Sequence, residues 1–162
     1  MSQPVPPPGN PFAPGAVPPA PFAPPPAPAR DAIGLGLAAA LVTALVAAGV
    51  YGGIAGAIER EIGWAAIGVG YLIGLVAGKV GGAKPVLPVV SGVLALGAVY
   101  LGQIVGIAII VAKELNVSAT DVFLDHFGLL TDAWNEGKDV MTFLFFALAA
   151  FAAFSGAKKA TS

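Results

Sequence analysis

The chain has 162 residues, of which 57% are hydrophobic and 10% charged, and its mean hydropathy is +0.85. Soluble domains carry about 25% charged residues, so this chain cannot clothe a water-exposed globule, and lipid is the solvent its long apolar runs call for. A net charge of −1, with no basic stripe, excludes a nucleic-acid partner; the absence of cysteine excludes disulfides, thiolate metal sites and Cys-borne lipid anchors, and a single histidine excludes a His-rich metal cluster.

Residues 1–29 hold 13 of the 15 prolines and no charge. Proline lacks the amide donor and clashes with a preceding helical turn, so residues 1–31 read as a disordered, partly polyproline II tail on the cytoplasmic side. Pro11-Phe12-Ala13-Pro14 repeats as Pro21-Phe22-Ala23-Pro24. Two readings stay open: a spacer, or a docking peptide for a proline-motif-binding protein through residues 1–29. A cleaved signal peptide would begin with a basic region followed directly by an apolar stretch. Here the first apolar run starts only after Arg30 and Asp31, so it reads as an uncleaved anchor.

Four spans follow, at about 32–58, 62–80, 86–112 and 140–157, making a membrane domain over 32–157. Glu59, Arg60 and Glu61 form a charged corner between the first two, and Gly81, Gly82, Lys84 and Pro85 form the next turn. Pro88 falls in the first turn of the third span, where a missing N–H costs little. Between spans three and four, Ser118 with Asp121 marks a helix start. Phe123, Phe127, Leu130 and Trp134 then recur on one helical face, which predicts an amphipathic helix over 118–136 that lies on the membrane or caps the bundle. Gly137 ends it. Residues 158–162 are a short basic end. The fold class is thus an all-α four-helix transmembrane bundle with a disordered tail and one extracytoplasmic amphipathic helix.

Four spans place both termini and the second turn on one side, with Arg30, Lys79, Lys84, Lys158 and Lys159 against Asp31. The other side carries Arg60, Lys113 and Lys138 against eight acids. The positive-inside rule then sets both termini in the cytoplasm.

Apolar side chains gain little by leaving lipid for each other, so close packing must join the helices. Gly70, Gly74 and Gly78 recur every fourth residue in the second span, as do Ala98, Gly102 and Gly106 in the third. Each row is a flat groove for a neighbouring backbone, within the chain or across a homo-oligomer. Val50-Tyr51-Gly52-Gly53 is echoed by Val99-Tyr100-Leu101-Gly102, the trace of a duplicated hairpin or a coincidence. Gln103 is the polar group most costly to leave unpaired in hydrocarbon. Its expected partners are Tyr71 or Tyr51.

No charge sits mid-span, which disfavours an ion pump. Glu59 and Glu61 read as an interfacial turn paired with Arg60 or Lys113. Drawn inward, either would gain proton affinity, so Glu59, Glu61, Tyr71 and Gln103 form the candidate polar pathway. His126 among Asp121, Asp125 and Asp132 falls short of a metal set, and nothing marks an activated nucleophile. No catalytic, cofactor or metal residue is expected.

The run Glu61-Ile62-Gly63-Trp64-Ala65-Ala66-Ile67-Gly68-Val69-Gly70-Tyr71-Leu72-Ile73-Gly74 resembles a motif of small bacterial four-span membrane proteins with a proline-rich tail, in which an E-I-G corner precedes a glycine-rich helix. That group has no assigned activity. The resemblance implies the architecture and a bacterial inner-membrane setting and carries over no site residue. The expected function is a non-enzymatic structural or interaction component of that membrane. The alternatives are a small channel or transporter subunit, or an accessory subunit of a membrane enzyme recruited through the tail.

Overall fold

The computed structural model describes residues 32–162 together with residues 9, 15, 22 and 24; the expected disorder of residues 1–31 lies outside the described residues. Those described form six helices and no strand: α1 Ile33–Ile58, α2 Gly63–Gly81, α3 Val86–Leu115, α4 Ala119–Asp125, α5 Phe127–Gly137 and α6 Val140–Lys159. Four of them, α1, α2, α3 and α6, are long and apolar enough to cross a membrane.

The order of contacts gives a rhombic bundle. α1 packs on α2 and α3, α6 packs on α2 and α3, and α2 touches α3 across the short diagonal. Neighbours joined by the glycine rows run parallel. Gly70, Gly74 and Gly78 of α2 lie in order against Ala149, Ala153 and Ala157 of α6. Gly52 and Gly56 of α1 lie in order against Gly102 and Gly106 of α3. Both rows read from the sequence are therefore placed inside the chain, and Ala98 is buried beside them. A methyl group at Gly74 would run into the backbone carbonyl of Ala153, and one at Gly102 into the Tyr51 ring. At Gly70, Gly74 and Gly78 only a hydrogen atom fits against the facing backbone, whereas Gly106 has room for ordinary contacts. Alanine fills the layer beneath: Ala40, Ala44, Ala77, Ala95 and Ala153 pack around Ile73.

Three expectations are corrected. The amphipathic helix over 118–136 is two helices, broken at His126 (φ −125, ψ 32), whose N–H closes α4 onto the Val122 carbonyl. The break lets Val122 and Leu130, from different helices, both reach Ile104, Ala108 and Ala112 of α3. Phe127, expected on the buried face, is 39% exposed and meets Phe123 edge-on. The third span also runs three residues beyond Ala112, because Ala112 lies in this satellite core, away from lipid. At about 1.5 Å per residue, the 30 residues of α3 span about 45 Å, against about 30 Å of bilayer core. The helix is thus longer than that core is thick, and α4 and α5 pack against it.

The glycine contacts generate a matched pair of tests. Gly74→Ala must push two backbones apart and should cost about 1–3 kcal/mol. Gly97, on the same bundle, faces open space; Gly97→Ala should be neutral or stabilise by up to about 1 kcal/mol through helix propensity. Thermal unfolding of the two variants in detergent checks this, and equal midpoints would refute the packing role of the α2 row.

Candidate functional site

The corner between α1 and α2 assembles the polar groups. α1 stops because Glu59 turns left-handed (φ 55, ψ 35), a conformation that costs a residue with a side chain roughly 1–2 kcal/mol. Lys113 of α3 stabilises the stop. Its ammonium donates to the Gly56 and Ala57 carbonyls at 3.1 and 3.3 Å and lies 3.5 Å from Glu59 Oε1. A cation at a helix C-terminus complements the helix dipole. Of the ion pairs expected from sequence, the Glu59–Lys113 pair forms; both side chains are about half exposed, so its own contribution is at most about 1 kcal/mol.

The corner then drops along α3, from the level of Lys113 to that of Gln103. There the Gln103 carboxamide is held at both ends. The Trp134 indole N–H donates to Gln103 Oε1 at 2.7 Å, and Gln103 Nε2 donates to Glu61 Oε1. An indole can only donate, so the amide oxygen must face Trp134 and the NH2 group must face Glu61. One side chain thereby ties α5 to α3 and to the α1–α2 corner. Of the expected partners, the Tyr51 hydroxyl lies close enough to Gln103 to interact with it, beside Glu61, but without the geometry of a well-formed hydrogen bond. Tyr71 lies ten residues along α2 from Glu61, its ring over a third exposed and its backbone carbonyl against Gly156 of α6.

These groups wall a cleft of about 260 Å³. Glu59, Glu61 and Gln103, chosen from sequence, line it together, whereas Tyr71 does not. Sequence reasoning missed Trp134, Lys138 and Thr142 as walls of this cleft. The Lys138 ammonium sits 5.1 Å from the Trp134 ring centroid and bonds Asn135 Oδ1 at 2.5 Å. Trp134 packs edge-on against Tyr100 and Phe146. Next to the wall residues Lys138 and Thr142, Asp139 caps α6. Its Oδ1 accepts the Thr142 N–H at 2.9 Å, and the Thr142 hydroxyl accepts the Asp139 N–H at 3.3 Å. The Asp-x-x-Thr spacing of that box is a readable start signal; the contact between Trp134 and Gln103, 31 residues apart, has no local signal.

The two carboxyls are tuned in opposite directions. The Thr142 backbone N–H, and then its hydroxyl, hold Asp139 below its usual range. Partial burial pushes Glu61 up, and the nearby Asp139 charge pushes it further, while the bond from Gln103 acts in the other sense. Among the described residues no three His, Cys, Asp or Glu side chains converge on a metal position, and His126 sits at the helix break. The cleft can accept a hydrogen-bond donor at Glu61, and the Tyr51 side chain is part of the same wall.

A carboxyl with a raised pKa in the folded state favours folding when protonated, an advantage complete below the ordinary Glu range and lost as pH rises through the raised value. The midpoint in detergent should therefore climb as pH falls from 8 toward about 5, before Asp139, whose stabilisation is lost only below the ordinary Asp range near about 4, begins to act. Glu61→Gln keeps an acceptor for Gln103 and removes the charge. It should unfold a few degrees higher than the native chain at pH 8 and flatten the climb; a lower midpoint at pH 8 would exclude this account. Compared with family models, characterised proteins and solved structures, the chain gives no match, and the likeness at residues 61–74 transfers no role to any residue of the cleft.

Proposed function

We propose that this chain is a multi-pass component of the bacterial cytoplasmic membrane, a non-enzymatic structural or interaction protein that offers a recognition cleft on its extracytoplasmic face. The observation that carries the reading is a cleft that ends blind. Below it Tyr51, Ala66, Val99 and Ala149 close into one buried layer, and the alanine layer around Ile73 follows. A solute crossing the bilayer needs polar groups at depth, and the layers below the cleft offer none in series: Thr43 bonds its own helix at the Ala39 carbonyl, and Ser91 is a lone buried hydroxyl. Rigid seams between parallel helices suit a scaffold better than a gate. Five cations on the side of the termini against three on the other support cytoplasmic termini, which turns α4, α5 and the cleft outward. The tail, residues 1–29, would then be presented to cytoplasmic partners.

A transporter subunit is the second reading, favoured by Glu61 and Gln103 facing one cleft. Proteoliposomes separate the two. The scaffold reading expects no ion or solute leak above protein-free vesicles; a leak abolished by Gln103→Leu would replace it with transport. A reporter fused after Ser162 should be active only in the cytoplasm, and activity on the outer face would invert the topology.

A further inference from the structure

Two deficits meet in the cleft. Glu61 receives one hydrogen bond, from Gln103 to Oε1, and among the described residues no cation is paired with it. Its second oxygen, on an exposed side chain, has no donor among the described residues. The Tyr51 hydroxyl is buried, on a residue only 3% exposed, and among the described residues it has Gln103 nearby but no well-formed hydrogen bond. A buried hydroxyl without a hydrogen bond costs about 1–3 kcal/mol, and both groups belong to the same cleft.

We propose that the cleft binds a primary ammonium group, with the Glu61 carboxylate as its counter-ion and the Tyr51 hydroxyl oxygen as its second acceptor. The proposal rests on the reading of the chain as a recognition protein and names what is recognised. An ammonium carries three donors and no acceptor, so one group supplies both missing bonds. An anion would face Glu61 and Asp139. Of the cations around it, Lys138 is turned onto Trp134 and Asn135, Lys113 is committed to the end of α1, and Arg60, also in the wall, is an exposed side chain free to swing into solvent. The remaining walls, among them Ala55, Ile107 and Ile110, suit a short aliphatic body. A volume of about 260 Å³ lies just under the usual range for ligand pockets, about 300–1,000 Å³.

The ammonium can arrive on a free amine or on a lipid headgroup. Tyr51 is also a wall of an apolar groove of about 280 Å³ between α1 and α2, with Ile54, Ile62 and Leu72. An acyl chain in that groove would bring a headgroup to the same tyrosine.

The test uses the full chain in detergent at pH 8, titrated with propylammonium chloride and followed by the thermal midpoint. Tetramethylammonium chloride, which has no N–H, and sodium chloride serve as matched controls. Propylammonium should give a saturable rise that neither control gives. Glu61→Gln should weaken binding about tenfold or more and Tyr51→Phe about threefold or more, as expected for bonds to a charged group. Glu61→Gln is expected to fold well, so lost binding there is not lost structure. No saturable response in the native chain, or an undiminished one in Glu61→Gln, overturns the site. Nanodiscs of phosphatidylethanolamine and of phosphatidylglycerol then assign the source. A higher midpoint in the former, absent in Glu61→Gln and erasing the propylammonium response, identifies the headgroup; equal midpoints with the response intact identify a free amine. Binding with propylammonium flux into proteoliposomes would keep the site and retire the scaffold reading, whereas no binding and no flux would retire the site alone.

Discussion

The fold depends on backbones touching. In lipid, leucine on one helix gains nothing from leucine on the next that it did not already have from acyl chains. What remains is contact at short range, and that needs side chains to be nearly absent. Glycine and alanine supply this at two seams, α1 with α3 and α2 with α6, and each seam joins helices that run the same way. Parallel neighbours cannot be linked by a short turn, so each seam connects elements far apart in sequence. The antiparallel contacts between α1 and α2 and between α3 and α6 come with chain connection; the seams must be specified by residue. The four-residue spacing of small side chains specifies them.

The second constraint is electrical. Helix ends release carbonyls and N–H groups that lipid cannot satisfy, and the chain gathers such ends around the corner. Lys113 answers the end of α1, and Asp139 answers the start of α6. Gln103 joins the two levels by holding Trp134 and Glu61 at once. The outcome is a polar cleft above an alanine-rich core, with two neighbouring acids of unequal proton affinity: partial burial and the nearby Asp139 charge raise Glu61, while the Thr142 N–H and hydroxyl lower Asp139.

Much of this was legible in the residues. Span number, the charged corner, the Ser118 start and the glycine rows follow from hydropathy, capping chemistry and i, i+4 spacing, all local signals. The break at His126 was not legible, because the spacing of Phe123, Phe127, Leu130 and Trp134 fits one continuous helix. The two helices meet at His126, and Val122 of one and Leu130 of the other share a buried cluster with α3. Gln103 was singled out for the right reason, an unpaired amide in hydrocarbon, yet its partners are Glu61 and Trp134. Tyrosines at helical depth looked nearer than a corner acid, and the descent of the corner along α3 is a tertiary fact. Tyr71 fails as a cleft residue because Gly70 and Gly74 set the α6-facing side of α2 and leave its ring partly exposed.

The helices also differ in height. α1 and α3 have 26 and 30 residues, and α2 and α6 have 19 and 20. Because the tall pair are neighbours and the short pair are neighbours, the molecule has a high flank and a low flank, about 39–45 Å against about 28–30 Å. Lipids beside the low flank find a thickness close to their own, while those beside the high flank meet helix that outreaches them. The annulus is thus stepped, and the cleft lies where the tall pair meets the low pair, walled by α1, α3 and the first turn of α6.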